Sequence, residues 1–464
     1  RTRPTYRAMK SAAFLVACAS VALAVSAAPT LKDLVTSTPE LSTLQAALSA
    51  AGLLAKLDQP GPFTLFAPTN EAFTSAPMAP YKAKFLLDPD NAKALGGVLG
   101  YHLSPRAWTF AQLQSAGSAD IETVFGTQSL FAVFNVSGEG KVTVEDSTCG
   151  TARLSAAAQT TASNGVLFKS DVVFIPKGLI CPDTLFYAEQ RGDSRIGGVG
   201  YDCRNRGSQT LSRSEIKPVG LAVDSAEQAA FWSNDQSNKP FDSWLSRAYF
   251  NGTDETILFS AQLYDPQGLD LDRTARKVYF TERLGNLVSV SNYDASDRQM
   301  FLSLNSTEYP TDVAVDSAAG IVFITVTGPQ DIEGQLVRQF INGTGKETLL
   351  TGLNKAYGLC VDSRRQQVFY VQGGHGGSIS CLAYGSDPCD TVHPNGLVVD
   401  GLDYPYMCAV DSLWHKYGGP TNLLVSSTNA AGYISLINSN GTVVGQVVDS
   451  IDSPMGVSLG CGNM

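Results

Sequence analysis

One phrase recurs five times in the second half of this 464-residue chain. It reads VGLAVDSAEQAAFWSN, QGLDLDRTARKVYFTE, TDVAVDSAAGIVFITV, YGLCVDSRRQQVFYVQ and YMCAVDSLWHKYGGPTNLLVSS. Its aspartates, Asp224, Asp272, Asp316, Asp362 and Asp411, lie 48, 44, 46 and 49 residues apart. A period of that length is the signature of propeller blades. Each unit predicts an inner strand ending at the aspartate, a turn, and then second, third and fourth strands such as KVYFT, NLVSVSN and RQMFLSL.

A sixth inner strand, MGVSLG, comes just before the chain stops, without its other three strands. These are read at the opposite end of the region, in TLFYAEQ, SRIGGVGYD and SQTLSRSE, residues 184–215. The pattern therefore predicts six blades closed by strands from both ends, which removes the open edges that invite aggregation. Cys461 follows the last inner strand and Cys181 precedes the strand that must pair with it, so a Cys181–Cys461 disulfide is expected to close the ring. Cys381–Cys389 is expected across one hairpin.

The chain begins with a basic stretch, an apolar run from about Ala12 to Val25, and the small residues Ser26, Ala27 and Ala28. Residues 1–28 read as a secretory signal peptide with an upstream extension before Met9. The apolar run is shorter than a membrane span needs. The C-terminal MGVSLGCGNM has no lipid-anchor tail, so a soluble extracellular chain is expected. Of nine cysteines, eight remain after Cys18 leaves with the signal, an even number suited to disulfides, and none has CxxC zinc spacing. Sequons at Asn135, Asn251, Asn305, Asn342 and Asn440 agree with secretion. A net charge of -10 with 16% charged residues argues against nucleic acid as a partner.

Residues 29–178 have a different texture. LSTLQAALSAAGLLAKL places Leu44, Leu48, Ala51 and Leu54 at helical spacing, and FTLFAPTNEAF runs from an apolar strand into a turn and a new helix. NAKALGGVLGYHL is helical, and SNGVLFKSDVVFIPKG is a closing apolar strand. In this order the pieces resemble a fasciclin domain: Phe63–Phe73 is similar to its first signature, Tyr101-His102 to its tyrosine-histidine pair and Asn164–Pro176 to its second signature. Phe168 and Lys169 depart from the histidine or valine pair frequent there. The resemblance implies a β-wedge with packed helices, and adhesion or matrix association without catalysis. From the residues themselves, Asn70 is a helix-start or turn residue, and His102 is either a catalytic or ligand histidine or a buried one bonded to backbone.

The repeat resembles YWTD (LDL-receptor class B) propellers, with VYFTE, AFWSN and VFYVQ at the tetrapeptide, and NHL propellers compete closely. Both imply protein-binding platforms. Antiparallel blades put the turns at Asn251, Asn342 and Asn440 on one face with the linker PKGLI. The opposite face carries Asp265, Asp312, Asp403 and Asp452 on blade-to-blade loops, as a cation or basic-partner site or as plain loop acids. The same face carries the tripeptide Arg191-Gly192-Asp193, in a second-to-third-strand turn, as an adhesive signal or an ordinary turn. GGHGGS at Gly373–Ser378 reads as a flexible hairpin.

The expected fold is mixed: an α+β fasciclin domain at 29–178, then an all-β six-bladed propeller at 181–464, closed from both ends. The expected function is that of a secreted cell-adhesion or matrix protein, not an enzyme, binding extracellular proteins or matrix glycans without a membrane span. The alternative is a calcium-dependent, lactonase-like propeller hydrolase tethered by its fasciclin domain, because propellers host both. No cofactor is expected beyond calcium in that alternative.

Overall fold

The structure is a computed structural model. It describes residues 28–460 except 75–83, 85, 89–90, 126–129, 136–140, 147–150, 177–183, 192–193, 201–208, 213–216, 237–242, 260–262, 390–395, 412–420, 430–431 and 449–450. The predicted signal segment, the linker and the pair Cys181 and Cys461 lie outside the described residues.

The N-terminal region opens with a helix, Leu31–Ser37, set by a capping box in which Thr30 and Asp33 each bond the other's backbone N–H. The apolar spacing that suggests one helix through Leu54 is broken in the structure. Helix Ser42–Ala50 stops at Gly52, whose φ of 69° suits glycine. The Leu53 N–H bonds the Leu48 carbonyl at 2.8 Å and the Gly52 N–H bonds Ser49 at 3.1 Å, a Schellman end. Asn70 does not start the helix after it. Its Oδ1 accepts the Thr43 N–H at 2.9 Å, capping helix Ser42–Ala50 across the fold.

Strand Phe63–Pro68 pairs in parallel with Gly165–Ser170, Phe63 opposite Gly165, so the two signature stretches lie side by side. Leu103–Ser104 and Gln159–Ala162 flank them. Alternation then sorts the side chains. Leu65 and Leu167 pack toward the helices, while Phe66 and Phe168 pack toward a second, antiparallel sheet of Ser118–Ile121, Leu130–Asn135, Lys141–Glu145 and Thr151–Leu154. The closing strand is shorter than its apolar run. It ends at Ser170, whose hydroxyl turns the chain by bonding the N–H and carbonyl of Val172.

The described residues from 184 to 460 are largely β, with one short 3-10 turn at Pro329–Asp331. They hold six antiparallel four-stranded sheets, each in meander order, consistent with a propeller. In the first five sheets the opening strands are Pro218–Asp224, Pro266–Asp272, Tyr309–Asp316, Ala356–Asp362 and Pro405–Asp411. The sixth combines Pro454–Gly460 with Thr184–Glu189, Arg195–Gly200 and Gln209–Ser212, and Leu459 pairs with Leu185.

The repeated aspartate has a repeated task. Oδ1 of Asp224, Asp272, Asp316 and Asp362 each accepts the two N–H groups two and three residues on, tying the first turn. Oδ2 then accepts a hydroxyl from the following sheet: Tyr293 onto Asp224 at 3.0 Å, Tyr384 onto Asp316 at 2.5 Å, and Thr421 onto Asp362 at 2.9 Å. A second set of hydroxyls, at the third tetrapeptide position, also crosses between sheets. Ser233 donates to the Gln267 carbonyl, Thr325 to Tyr357 and Ser426 to Met455, at 2.5 to 2.7 Å.

Breaking one aspartate lock should therefore unseat two sheets at once. Tyr384→Phe is expected to cost about 1–2 kcal/mol, and Asp316→Ala about 3 kcal/mol or more because two turn N–H groups lose their acceptor as well. Denaturant titration following the β-region's transition checks both, and equal costs would refute the double role.

Candidate functional site

The described candidates of the β-region fall at three places: the end of the sheets where the opening strands begin, the end where they finish, and a cavity between those strands. At the first end, Arg191 is exposed in the turn between Thr184–Glu189 and Arg195–Gly200, as the repeat alignment expects. Its N–H bonds the Asp452 carbonyl at 3.2 Å, and Glu189 fixes the same loop by accepting the Asp452 N–H at 3.0 Å. Gly192 and Asp193 lie outside the described residues.

The acids expected on the loops of this end do not converge. Asp312 is not on a loop at all but buried within Tyr309–Asp316. Asp265 is buried against Gln267 at 2.6 Å, Asp403 bonds Asn429, and Asp452 contributes backbone groups to the Arg191 turn. Among the described residues, no group of three His, Cys, Asp or Glu side chains could hold a metal. The Gly-rich stretch is also more regular than expected, since His375 already begins the strand His375–Ala383.

What this end does present is apolar. Tyr264 and Tyr404 stand on connections between sheets, and Leu284 and Ile332 on second-to-third-strand turns, each 37–47% exposed. Behind them a polar network stiffens the surface. Arg283 bonds Asp331 at 3.2 Å, Tyr357 donates to Asp331 at 3.2 Å, and the Tyr357 and Tyr406 rings lie 5.0 Å apart.

At the other end, Asn251, Asn342 and Asn440 are exposed in three turns of one design. Each side-chain oxygen accepts the N–H of the threonine two residues on, at 3.0 to 3.1 Å, and the intervening glycines have φ of 77°, 81° and 87°. Asn305 is exposed but follows the last strand of the second sheet, at the first end. The Asn135 side chain lies outside the described residues.

The cavity, about 440 Å3, is lined by the opening strands of all six sheets. Asp270 and Arg273 in it were not singled out by the sequence, and Asp312 was expected on a loop rather than in the opening strand. Asp312 stands where other opening strands carry Gly220, Gly268, Gly358 and Gly456, and that break in the pattern was the available signal. Asp312 accepts N–H groups from Val313 at 2.9 Å and Leu359 at 2.7 Å, and Asp270 accepts from Leu271 at 2.7 Å and Val315 at 2.8 Å. Burial pushes both carboxyls above their ordinary range, Asp312 well above. Two disulfides lie among the described residues: Cys381–Cys389, and Cys360–Cys408, which joins the opening strands of the fourth and fifth sheets.

His102 is fully buried. Its Nδ1 lies 2.8 Å from the Val98 carbonyl and its Nε2 accepts the Phe174 N–H at 2.9 Å, which requires the neutral ring with the proton on Nδ1. Both nitrogens are used by backbone, and Tyr101 beside it is buried too.

The fasciclin domain model matches residues 39–176. Protein sll1483 of Synechocystis sp. is 36% identical over 33% of this chain and 77% of that protein. Transforming growth factor-beta-induced protein ig-h3 of Sus scrofa is 40% identical over 16% of this chain and 10% of that protein. Protein cueball of Drosophila ananassae is 24% identical over 25% of this chain and 22% of that protein. The chain thus spans only a small part of the last two. No helix among the described residues is long and apolar enough to cross a membrane.

Burial drives the His102 pKa down to about 4, below the usual value near 6.5 of an unfolded chain. The unfolded state then binds a proton that the folded state refuses. The N-terminal region should lose about 3 kcal/mol of stability as pH falls from 6.5 to 4. Denaturation of the wild type and of His102→Gln across that window checks it, and parallel pH slopes would contradict the assignment.

Proposed function

This chain belongs to the fasciclin-domain family, and on that premise we propose that it is a secreted adhesion or extracellular-matrix protein, not an enzyme, acting through binding surfaces. The six sheets are proposed to close as a six-bladed propeller. Supporting this, Pro454–Gly460 packs against the opening strands of both the fifth and the first sheets, and it takes its partners from residues 184–212. Extracellular residence is supported by the two disulfides.

The observation that carries the binding reading is the placement of Tyr264, Leu284, Ile332 and Tyr404. All four are on connections at the end of the sheets that also carries the Arg191 turn, where a half-buried polar network braces the surface. Exposed aromatic and aliphatic side chains on a rigid support suit a protein partner, because little entropy is lost on binding. The opposite end is proposed to be glycosylated at Asn251, Asn342 and Asn440, whereas the Arg191 end carries a single sequon among the described residues, Asn305.

Two measurements test this. Leu284→Ser with Tyr404→Ser should weaken retention of the full chain on matrix extract about tenfold or more, the loss expected of an anchor pair, whereas Met300→Ser on an outer strand should not. Equal losses in both variants would remove the surface from the account. Enzymatic removal of N-glycans followed by peptide mass mapping should report occupancy at Asn251, Asn342 and Asn440, and bare asparagines at all three would overturn the glycosylation.

A further inference from the structure

The cavity between the opening strands has the size of a small-molecule site, and its lining mixes Leu, Val and Met side chains with Asp224, Asp270, Arg273 and Asp312. Where the opening strands begin, the glycine backbones pack so tightly that a Cβ on Gly268 would stand 1.9 Å from Asp312 Oδ1, and one on Gly220 would stand 2.4 Å from the Gln267 carbonyl oxygen. Ala226, exposed in the first turn, lines the cavity at the end where the opening strands finish.

The charges inside are unequal. Arg273 at the mouth donates from Nε and Nη2 to the Val223 carbonyl at 3.1 and 3.0 Å, and its Nη2 lies 3.7 Å from Asp270 Oδ1. Arg273 and Asp270 therefore offset each other. Among the described residues no cation is paired with Asp312: its oxygens each take one backbone N–H, and its charged neighbour is Asp270. Each oxygen keeps a lone pair for a further donor. A cation brought to this desolvated carboxyl gains a charge-assisted hydrogen bond.

The walls decide which cation. Calcium needs about six to eight oxygen ligands, and the inner part of this cavity offers Leu, Val and Met side chains with the Cys360–Cys408 bridge. An organic ammonium needs one carboxylate and apolar contact. We propose that the cavity binds a small primary amine with an apolar body, which enters past Ala226 and seats its ammonium on Asp312. The site is separate from the proposed adhesion surface and stands without it.

Calorimetry on the full secreted chain tests the proposal, with n-butylamine, n-hexylamine and phenethylamine as probes, the matched alcohols as uncharged controls, and calcium chloride as the metal control. At least one amine is expected to bind saturably, about tenfold or more tighter than its alcohol. Ala226→Trp, which covers the mouth from an exposed turn, should abolish that binding without lowering the melting temperature. Asp312→Asn should reduce it similarly, and Ala226→Trp decides the matter where Asp312→Asn does not fold. Amine and alcohol binding alike, calcium binding in place of the amines, or Ala226→Trp binding as the wild type does would each overturn the proposal.

Discussion

The β-region depends on one carboxylate used twice. At the end of an opening strand an aspartate holds the first turn with one oxygen and, at three of the junctions, takes a hydroxyl from the next sheet with the other. A four-stranded sheet has two apolar faces and cannot bury them alone. The aspartate makes the local turn and the contact between sheets a single event, so that turn geometry sets the neighbour's position. Burial pushes the Tyr293 and Tyr384 hydroxyls up, beside carboxylates that already accept from them, and so keeps both as donors at physiological pH.

This double use is why so much of the β-region was legible. A residue that serves both a turn and a junction marks each unit at the same structural position, which makes the 44- to 49-residue period readable. The N-terminal region was legible for another reason: its two signature stretches are adjacent parallel strands whose alternation feeds two cores, so both must remain apolar at once. What escaped was long-range. Asn70 caps a helix that precedes it by 28 residues, and no local pattern records such a contact. The Gly52 stop was visible as a residue, but apolar spacing on both sides outweighed it. Asp312 was misplaced onto a loop because it follows Pro310, whereas the repeat itself places it at the glycine position of the opening strand.

The histidine of the tyrosine-histidine pair shows how a chemically suggestive residue can be spent on architecture. Val98 and Phe174 saturate both ring nitrogens, and Phe174 belongs to the segment that follows the closing strand. His102 thereby joins the end of helix Ala92–Tyr101 to the end of the second signature.

The tetrapeptide is never intact, yet the sheets need its hydroxyl, and the exceptions explain themselves at the junctions. Its third position is Ser233, Thr281, Thr325 and Ser426 in four sheets, and Val371 and Ala188 in the other two. Val371 belongs to the fourth sheet, so the junction left without that hydroxyl is the one between the fourth and fifth sheets. That is the junction crossed by Cys360–Cys408. Ala188 belongs to the sixth sheet, and the junction it leaves bare, between sixth and first, carries the Phe186–Phe250 ring contact at 4.4 Å within a cluster built around Trp232. A hydroxyl between sheets contributes about 1 kcal/mol, and an aromatic pair adds a comparable amount beyond its area. Each substitution keeps the junction tied by a different chemistry, so what the repeat conserves along this chain is a tie at every junction rather than a tetrapeptide.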